Sequence, residues 1–299
     1  MEIALHVALF VVASVLLSLG NTLGYHRLLT HRAFKTHPLI RNTLTLLSAT
    51  HSGSPIVWVG LHRVHHAFSD EEGDPHSTND GFWFAHSGWL FHTKNKWCSI
   101  LLALSGFALQ VRYLLNDIQR LRGQLKPDWQ KMCRRDLMKE PFMRFLDTPL
   151  VIPSLFALQV VAAWLIAGWW GLLWLWAMHV VQNNTSWVIN SICHWHGFGV
   201  SDAKSKDQSR DVAALGWITN GDSYHNSHHL YPASAKHAIH GGADLSWWVV
   251  CGLARLGLAS DIKLPKGYAY PEWMVHGRHY QLPPIPPVAA SPAPADHAA

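Results

Sequence analysis

The sequence predicts an all-α integral membrane protein in which a few transmembrane helices carry a cytosolic, histidine-rich helical cap. Three observations lead to this fold class. Only 14% of the 299 residues are charged, against about 25% in a typical soluble domain. The chain contains 22 histidines and 16 tryptophans, and tryptophan favours membrane interfaces. Two apolar segments are long enough to cross a bilayer at about 1.5 Å per helical residue.

The first apolar segment, Ile3 to Gly20, predicts one N-terminal span. It is longer than the apolar part of a signal peptide and has no basic region before it, so we expect a retained helix. It leads directly into the more polar sequence "NTLGYHRLLTHR".

The second apolar segment covers about residues 148–194 and is too long for a single crossing. Its "AGWWG" sequence, near residue 169, combines glycines with tryptophans that favour the membrane interface. We therefore predict a helical hairpin that descends over about 148–167 and returns over 170–194.

Two shorter apolar stretches, 38–61 and 98–115, contain Arg41, Pro55 and Arg112, which are poor residues for a simple span. We predict that neither crosses the membrane alone, because a crossing would separate the histidine-rich segments on its two sides. Basic residues lie between the apolar segments, and the positive-inside rule then places the cap in the cytoplasm.

Composition also limits the function classes. The net charge of +5 is modest and no concentrated basic stripe is present, so no nucleic-acid partner is expected. The four cysteines form no C-x-x-C pair, which gives no indication of a thiolate zinc site or a disulfide framework. We expect residues 1–282 to form a single domain and the Pro/Ala-rich residues 283–299 to be a disordered tail.

Three compact histidine clusters stand out in the sequence. The spacing H-x-x-H-H occurs twice, and on a helix the positions i, i+3 and i+4 share one face, so each cluster is expected to present three imidazoles to one point. Positions i and i+5 of a straight α-helix lie about 140° apart. The H-x4-H pair should therefore lie at a helix end where the chain bends, or serve two ions. The clusters are His26 and His31; His62, His65 and His66; and His225, His228 and His229.

Eight clustered histidines exceed the ligands that one ion uses, which predicts two metal ions. Neutral imidazole suits zinc, copper, iron and nickel, and zinc sites are usually closed by four ligands. The count therefore favours a redox-active iron pair, although ligand type alone leaves the metal open. His194, where the hairpin returns, is a candidate ninth ligand. Asn190, one turn earlier on the same face, is placed to hold a metal-bound water.

The other histidines are predicted to have ordinary roles. We expect core packing for His6, His51, His179, His237, His240, His276 and His279. We expect a surface position or a supporting role beside the ligands for His37, His76, His86, His92 and His196.

The motifs "GYHRLLTHR", "GLHRVHHAFSDEEGDPHS" and "SYHNSHH", in this order around a hydrophobic hairpin, resemble those of the membrane-bound fatty acid desaturases. The resemblance is closest to acyl-CoA delta-9 (stearoyl-CoA-like) desaturases of bacterial type, and covers roughly residues 15–97 and 140–232. It implies a di-iron centre with nine histidine ligands and one asparagine that acts through a water molecule, Asn190. The implied ligands are His26, His31, His62, His65, His66, His194, His225, His228 and His229.

The resemblance further implies that the protein introduces a cis double bond, at the delta-9 position, into a long saturated acyl chain with O2 as co-substrate. A ferredoxin or a cytochrome b5-type protein would supply the electrons, and the enzyme would lie in a bacterial inner membrane. Gly60 and Leu61 replace the Arg-Asp pair of the animal acyl-CoA enzymes, so the acyl carrier is CoA, acyl carrier protein or an intact lipid. Only one span precedes the first histidines where the family usually has two, and residues 95–130 resemble an insertion.

Two alternatives stay open from the sequence. The same di-iron chemistry serves fatty acid or lipid hydroxylases. A histidine-rich membrane metal transporter or sensor is the alternative without an enzyme activity, but transport would place the histidines inside the membrane. Here the clusters lie in polar segments beyond the apolar helices, which counts against it.

Overall fold

The computed structural model describes residues 2–124, 135–265 and Tyr268, and these residues are mostly helical. The tail predicted to be disordered, 283–299, lies outside the described residues. The helices are α1 (Glu2–Leu19), a π-helix (Gly20–Thr30), α2 (Pro38–Ser52), α3 (Pro55–Phe68), α4 (Phe82–His86), α5 (Lys96–Leu104), α6 (Ala108–Leu121), α7 (Pro141–Asp147), α8 (Val151–Ser191), α9 (His225–Leu230) and α10 (Leu245–Arg255). Short 3-10 turns connect several of them, at Thr78–Asp80, Gly88–Phe91, Leu137–Lys139, Ile192–His194 and Ala213–Leu215.

The N-terminal span is one continuous rod made of α1 and the π-helix. The helical stretch His6–Thr30 contains a segment that is long and apolar enough to cross a membrane. Val7 and Val11 on α1 are exposed, as expected for side chains that face lipid. At the upper end, Gly20 lets α2 approach closely, since a Cβ there would lie 2.8 Å from Leu47 Cβ.

The second long apolar helix, α8, confirms the predicted hairpin. Its backbone leaves the helical conformation at Ala167 and Gly168, and Gly168 has a positive φ of 55°, which glycine adopts readily. The rings of Phe156 and His179 lie 5.4 Å apart although 23 positions separate them in sequence, so the two legs run side by side. The legs also touch near the turn, where a Cβ on Gly171 would meet the Ala163 carbonyl oxygen.

The two ambiguous stretches are both interrupted. Residues 38–61 form parts of α2 and α3, which are separated at Gly53 and Ser54, and neither helix has the length and apolar character of a span. Residues 98–115 are divided between α5 and α6, whose axes meet at 99°. In the described part of the chain, these stretches therefore form broken elements rather than straight crossings.

The cap is built around the π-helix, which packs on two sides. On one side Tyr25 and Leu29 pack with apolar residues of α2, α3, α7 and α8. On the other side Leu23 and Leu28 pack with Trp247 and Val250 of α10. A short antiparallel pair of strands, β1 (Lys35–Thr36) and β2 (Ala259–Ser260), joins the exit of the π-helix to the segment after α10. The helix that carries the first histidine cluster is thus held from both sides.

Candidate metal centre

The three histidine clusters and His194 meet in the folded chain, and they form two groups. Within each group the nitrogens that can bind a metal lie within 4.8 Å of one another. The five-histidine group is His26, His31, His62, His66 and His228. The four-histidine group is His65, His194, His225 and His229. These are the nine histidines singled out in the sequence.

His26 and His31 share a group because the helix that carries them is a π-helix. The backbone N–H of His31 donates to the carbonyl oxygen of His26, which is the i→i+5 bond that defines this rare conformation. Such bonding aligns residues five positions apart, as the α-helix aligns residues four apart. The 140° separation expected for a straight α-helix does not apply here. Both histidines belong to the same group, so the alternative that they serve two different ions is wrong.

Each H-x-x-H-H cluster divides between the two groups, so the expectation of three imidazoles at one point is wrong. On α3, His62 and His66 join the five-histidine group while His65 joins the other. On α9 the division is reversed, since His225 and His229 join the four-histidine group and His228 the five-histidine group. The physical reason is that adjacent helical residues are about 100° apart, so one cluster spans an arc wide enough to reach two points.

The imidazoles fit a metal ion at each group. In the five-histidine group, the Nε2 atom of His228 lies 3.0 Å from that of His26 and 2.9 Å from that of His66. In the other group the Nε2 atoms of His225 and His229 are 3.1 Å apart. Two nitrogens bound at about 2.1 Å and at right angles to each other would lie about 3.0 Å apart. The spacing therefore matches ligands that converge on one ion.

Buried carboxylates orient four of these histidines. The Nδ1–H groups donate to carboxylate oxygens, which can only accept, so each Nε2 is left with its lone pair free to bind a metal. In His65 and His194 that Nε2 atom is buried and has no hydrogen-bond partner. The Nδ1–carboxylate pairs are His26–Asp222 at 2.8 Å, His65–Asp74 at 3.0 Å, His194–Asp70 at 2.9 Å and His229–Asp207 at 2.5 Å.

Sequence reasoning missed these carboxylates and the position of His237 next to the ligands, whereas His76 has the supporting position that was one of its two expected roles. His237, expected only in the core, is fully buried with its Nδ1 3.1 Å from Asp222, and its ring lies 4.4 Å from that of His228. His76 is buried beside His65, with ring centroids 4.3 Å apart. The available signal was the presence of acidic residues just after one cluster, in "SDEEGDPHS", and just before another, in "GDSYHNSHH".

The remaining candidates have other positions. Asn190 is half-buried in the last turn of α8, four residues before His194. His86 is held by the hydroxyl of Ser191 and the side-chain oxygen of Asn184. His37 accepts from the backbone N–H of Leu39 at the start of α2.

Part of the site keeps its imidazoles neutral. Burial lowers the pKa of His62, His66 and His228 well below its usual value, and neighbouring imidazoles lower it further. Burial alone would raise the pKa of the Asp222 carboxyl, but His26, His237 and Arg27 hold it well below its ordinary value. These three histidines are therefore in the form that binds metal, and the Asp222 carboxylate is ionised.

Acidification is expected to destabilise the metal-free protein. Below the ordinary histidine pKa of about 6.5, the unfolded chain binds protons that the folded site excludes, so stability falls as pH falls. The loss approaches about 1.4 kcal/mol per pH unit for each such histidine. Thermal unfolding of the metal-free protein in detergent should show a constant Tm above about pH 7.5 and a falling Tm toward pH 5. An unchanged Tm across that range would contradict the neutral state of the site.

Taken together, two groups of converging imidazoles beside apolar helices define a membrane-associated protein with a histidine-rich candidate metal centre. Residues 4–248 match the family model described as fatty acid desaturase. The chain belongs to this family, and its enzyme class is accordingly oxidoreductase.

Curated relatives carry several specificities. The chain is 34% identical over 267 residues to the Delta-9 desaturase-like 1 protein of Arabidopsis thaliana, covering 85% of this chain and 76% of the relative. It is 32% identical over 255 residues to the sn-1 stearoyl-lipid 9-desaturase of Anabaena variabilis, covering 82% and 79%. It is also 32% identical over 249 residues to the acyl-CoA C20 Delta5-desaturase of Anemone leveillei, covering 82% and 70%.

Proposed function

We propose that this protein is an O2-dependent desaturase that introduces a cis double bond at the delta-9 position of a long saturated acyl chain. The observation that carries the proposal is the convergence of nine histidines into two groups, with free Nε2 lone pairs, beside the apolar helices. The 9-desaturases among the relatives support the position of the double bond.

We further propose that both groups bind iron. The nine histidines would be the protein ligands, and Asn190 would complete the four-histidine group through a water molecule. Five nitrogens around one point exceed the usual four-ligand zinc site, which favours iron among the metals that imidazole suits. With O2, the iron pair would supply the oxidising power to break two C–H bonds that side-chain bases are too weak to attack.

The rest of the chain would hold and shield this centre. Asp222, Asp74, Asp70 and Asp207 fix the ring orientation of their histidines, and burial keeps bulk water away from them. An apolar cavity of about 240 Å³ lies between α1, α2 and α8, lined by side chains such as Leu16, Leu47 and Met178. This cavity supports the proposal that the substrate is an acyl chain that enters the protein from the membrane.

The partners follow from what the reaction needs. Two electrons per turnover would come from a ferredoxin or a cytochrome b5-type protein, because the sequence has no flavin or nicotinamide fingerprint. The relatives include enzymes named for acyl-CoA and for stearoyl-lipid, so CoA, acyl carrier protein and intact lipid are the candidate carriers. We place the protein in a bacterial inner membrane, with residues 1–282 as one catalytic domain and the cap facing the cytoplasm.

Expression in a host that lacks unsaturated fatty acids tests the proposal. With iron and a working electron donor, the acyl chains should acquire a double bond at carbon 9, which mass spectrometry locates. Separating CoA, carrier-protein and lipid pools at early times shows which carrier gains the double bond first. A hydroxylated product, or no new double bond in an iron-loaded protein, would refute the assignment.

A further inference from the structure

A pair of exposed tryptophans marks a surface of the cap that the proposed reaction does not use. Trp217 is 66% exposed and Trp248 is 45% exposed, and their rings lie 5.4 Å apart. Ile218, next to Trp217, is 60% exposed, and Leu256, at the end of the helix that carries Trp248, is 73% exposed. We call these four residues the aromatic surface. Large apolar side chains grouped in this way are uncommon on a surface that faces only water.

The helix that carries Trp248 packs directly on the N-terminal span. Trp247 and Val250 of α10 are buried in a cluster with Leu19 and Leu23, and Val15 of α1 packs against that cluster. The hydroxyls of Ser246 and Thr22 lie 2.8 Å apart. The start of α10 is therefore level with Thr22, and the apolar cluster that it joins extends to Val15.

This level is where both spans change from apolar to polar. The rod of α1 is apolar up to Leu19 and then continues as "GNT". On the hairpin, the apolar run ends at Val181 and "QNNTS" follows, and the side-chain amide of Gln182 donates to the carbonyl oxygen of Ser14. Two independent helices thus place the membrane boundary between Ser14 and Thr22, beside α10.

We propose that α10 and the turn at 217–218 form an interfacial element that rests in the headgroup boundary of a phospholipid bilayer. Tryptophan rings favour this zone because they combine an apolar body with an N–H donor. Because α10 packs on the span, the lipid that surrounds the span would also be within reach of the aromatic surface. Helices of this kind lie in the membrane plane with one apolar face buried.

The contact would set the height of the metal centre above the bilayer. The π-helix carries His26 and His31, and its Leu23 and Leu28 pack in the same cluster as α10. A bilayer contact on α10 would add a third attachment to those of α1 and the hairpin. It goes beyond the proposed reaction and does not depend on which acyl carrier is used.

Spin labelling of the full chain in phospholipid nanodiscs tests the proposal. Cys98, Cys133 and Cys251 are replaced by serine or alanine, and the buried Cys193 is retained. Nitroxides are then attached at Trp217→Cys, Trp248→Cys and Leu256→Cys in separate variants, of which the last keeps both tryptophans. For each nitroxide, the rate of collision with O2, which concentrates in lipid, is compared with the rate of collision with a water-soluble nickel chelate.

Two reference positions calibrate the result. Leu158→Cys reports lipid, since Leu158 is 64% exposed midway along the first leg of the hairpin, and Glu72→Cys reports water. Labels at the aromatic surface should share the oxygen preference of Leu158→Cys. A nickel preference like that of Glu72→Cys would overturn the proposal. Labels hidden from both reagents and broadened by spin–spin coupling would also overturn it, because they would show a second copy of the chain on this surface.

Discussion

Replacing His65 with alanine should abolish desaturation and remove iron from the four-histidine group. His65 is buried, its Nδ1 is fixed by Asp74, and its Nε2 faces the group without a partner. Loss of a residue that merely supports a ligand weakens metal binding by about 10- to 100-fold, and loss of a ligand should exceed that. Elemental analysis of the purified protein should show iron falling from about two atoms per chain toward about one.

His196→Ala is the matched control. His196 is exposed and lies two positions after the proposed ligand His194, so the variant removes an imidazole from the same neighbourhood without touching either group. It should retain iron and activity. Normal turnover in His65→Ala would refute the ligand assignment, and equal iron loss in both variants would show that the effect is not specific to the site.

The second large effect is expected for Arg27→Ala. Arg27 is fully buried, and its NH2 group lies 3.1 Å from the Asp222 carboxylate and 2.9 Å from that of Asp244. Its NH1 donates to the carbonyl oxygen of Ala235 at 2.7 Å. Removing the guanidinium leaves two buried carboxylates without their cation, at a cost of about 3–5 kcal/mol in the free energy of unfolding. Denaturant unfolding of the variant and the parent protein in detergent measures this difference in the free energy of unfolding.

Arg32→Ala provides the comparison, because Arg32 pairs with Asp136 while its side chain is 63% exposed. An exposed pair contributes about 0–1 kcal/mol, so the control should unfold close to the parent protein. Similar losses in the two arginine variants would contradict the role of the buried network. Arg27→Ala should also weaken iron binding, since Asp222 holds the ring of His26.

The sequence predicted the membrane hairpin and the histidines that meet in the fold, because both depend on local sequence patterns. The glycine of "AGWWG" and the length of the apolar segment were enough to place the turn at Gly168. The spacing of histidines on α3 and α9 was enough to bring them to one side of each helix. Such features depend on helical periodicity and hydropathy alone.

The division of the histidines into two groups was not predictable, because it depends on contacts between distant parts of the chain. Asp222 orients His26 across 196 positions, and the contact between His66 and His228 spans 162. Nothing in the local sequence of His237 separates it from a core histidine. Its position beside Asp222 and His228 follows from how the loop after α9 folds back.

Because of the π-helix, the geometry of the site depends on the number of residues between His26 and His31. If the same four residues between the histidines took α-helical bonding instead, the two rings would point about 140° apart, so the spacing of the pair and the π-helix depend on each other. Homologues and designs should therefore be compared at this position by the number of intervening residues before their identities. In this stretch, the number of residues carries information about the site that the identity of the side chains does not.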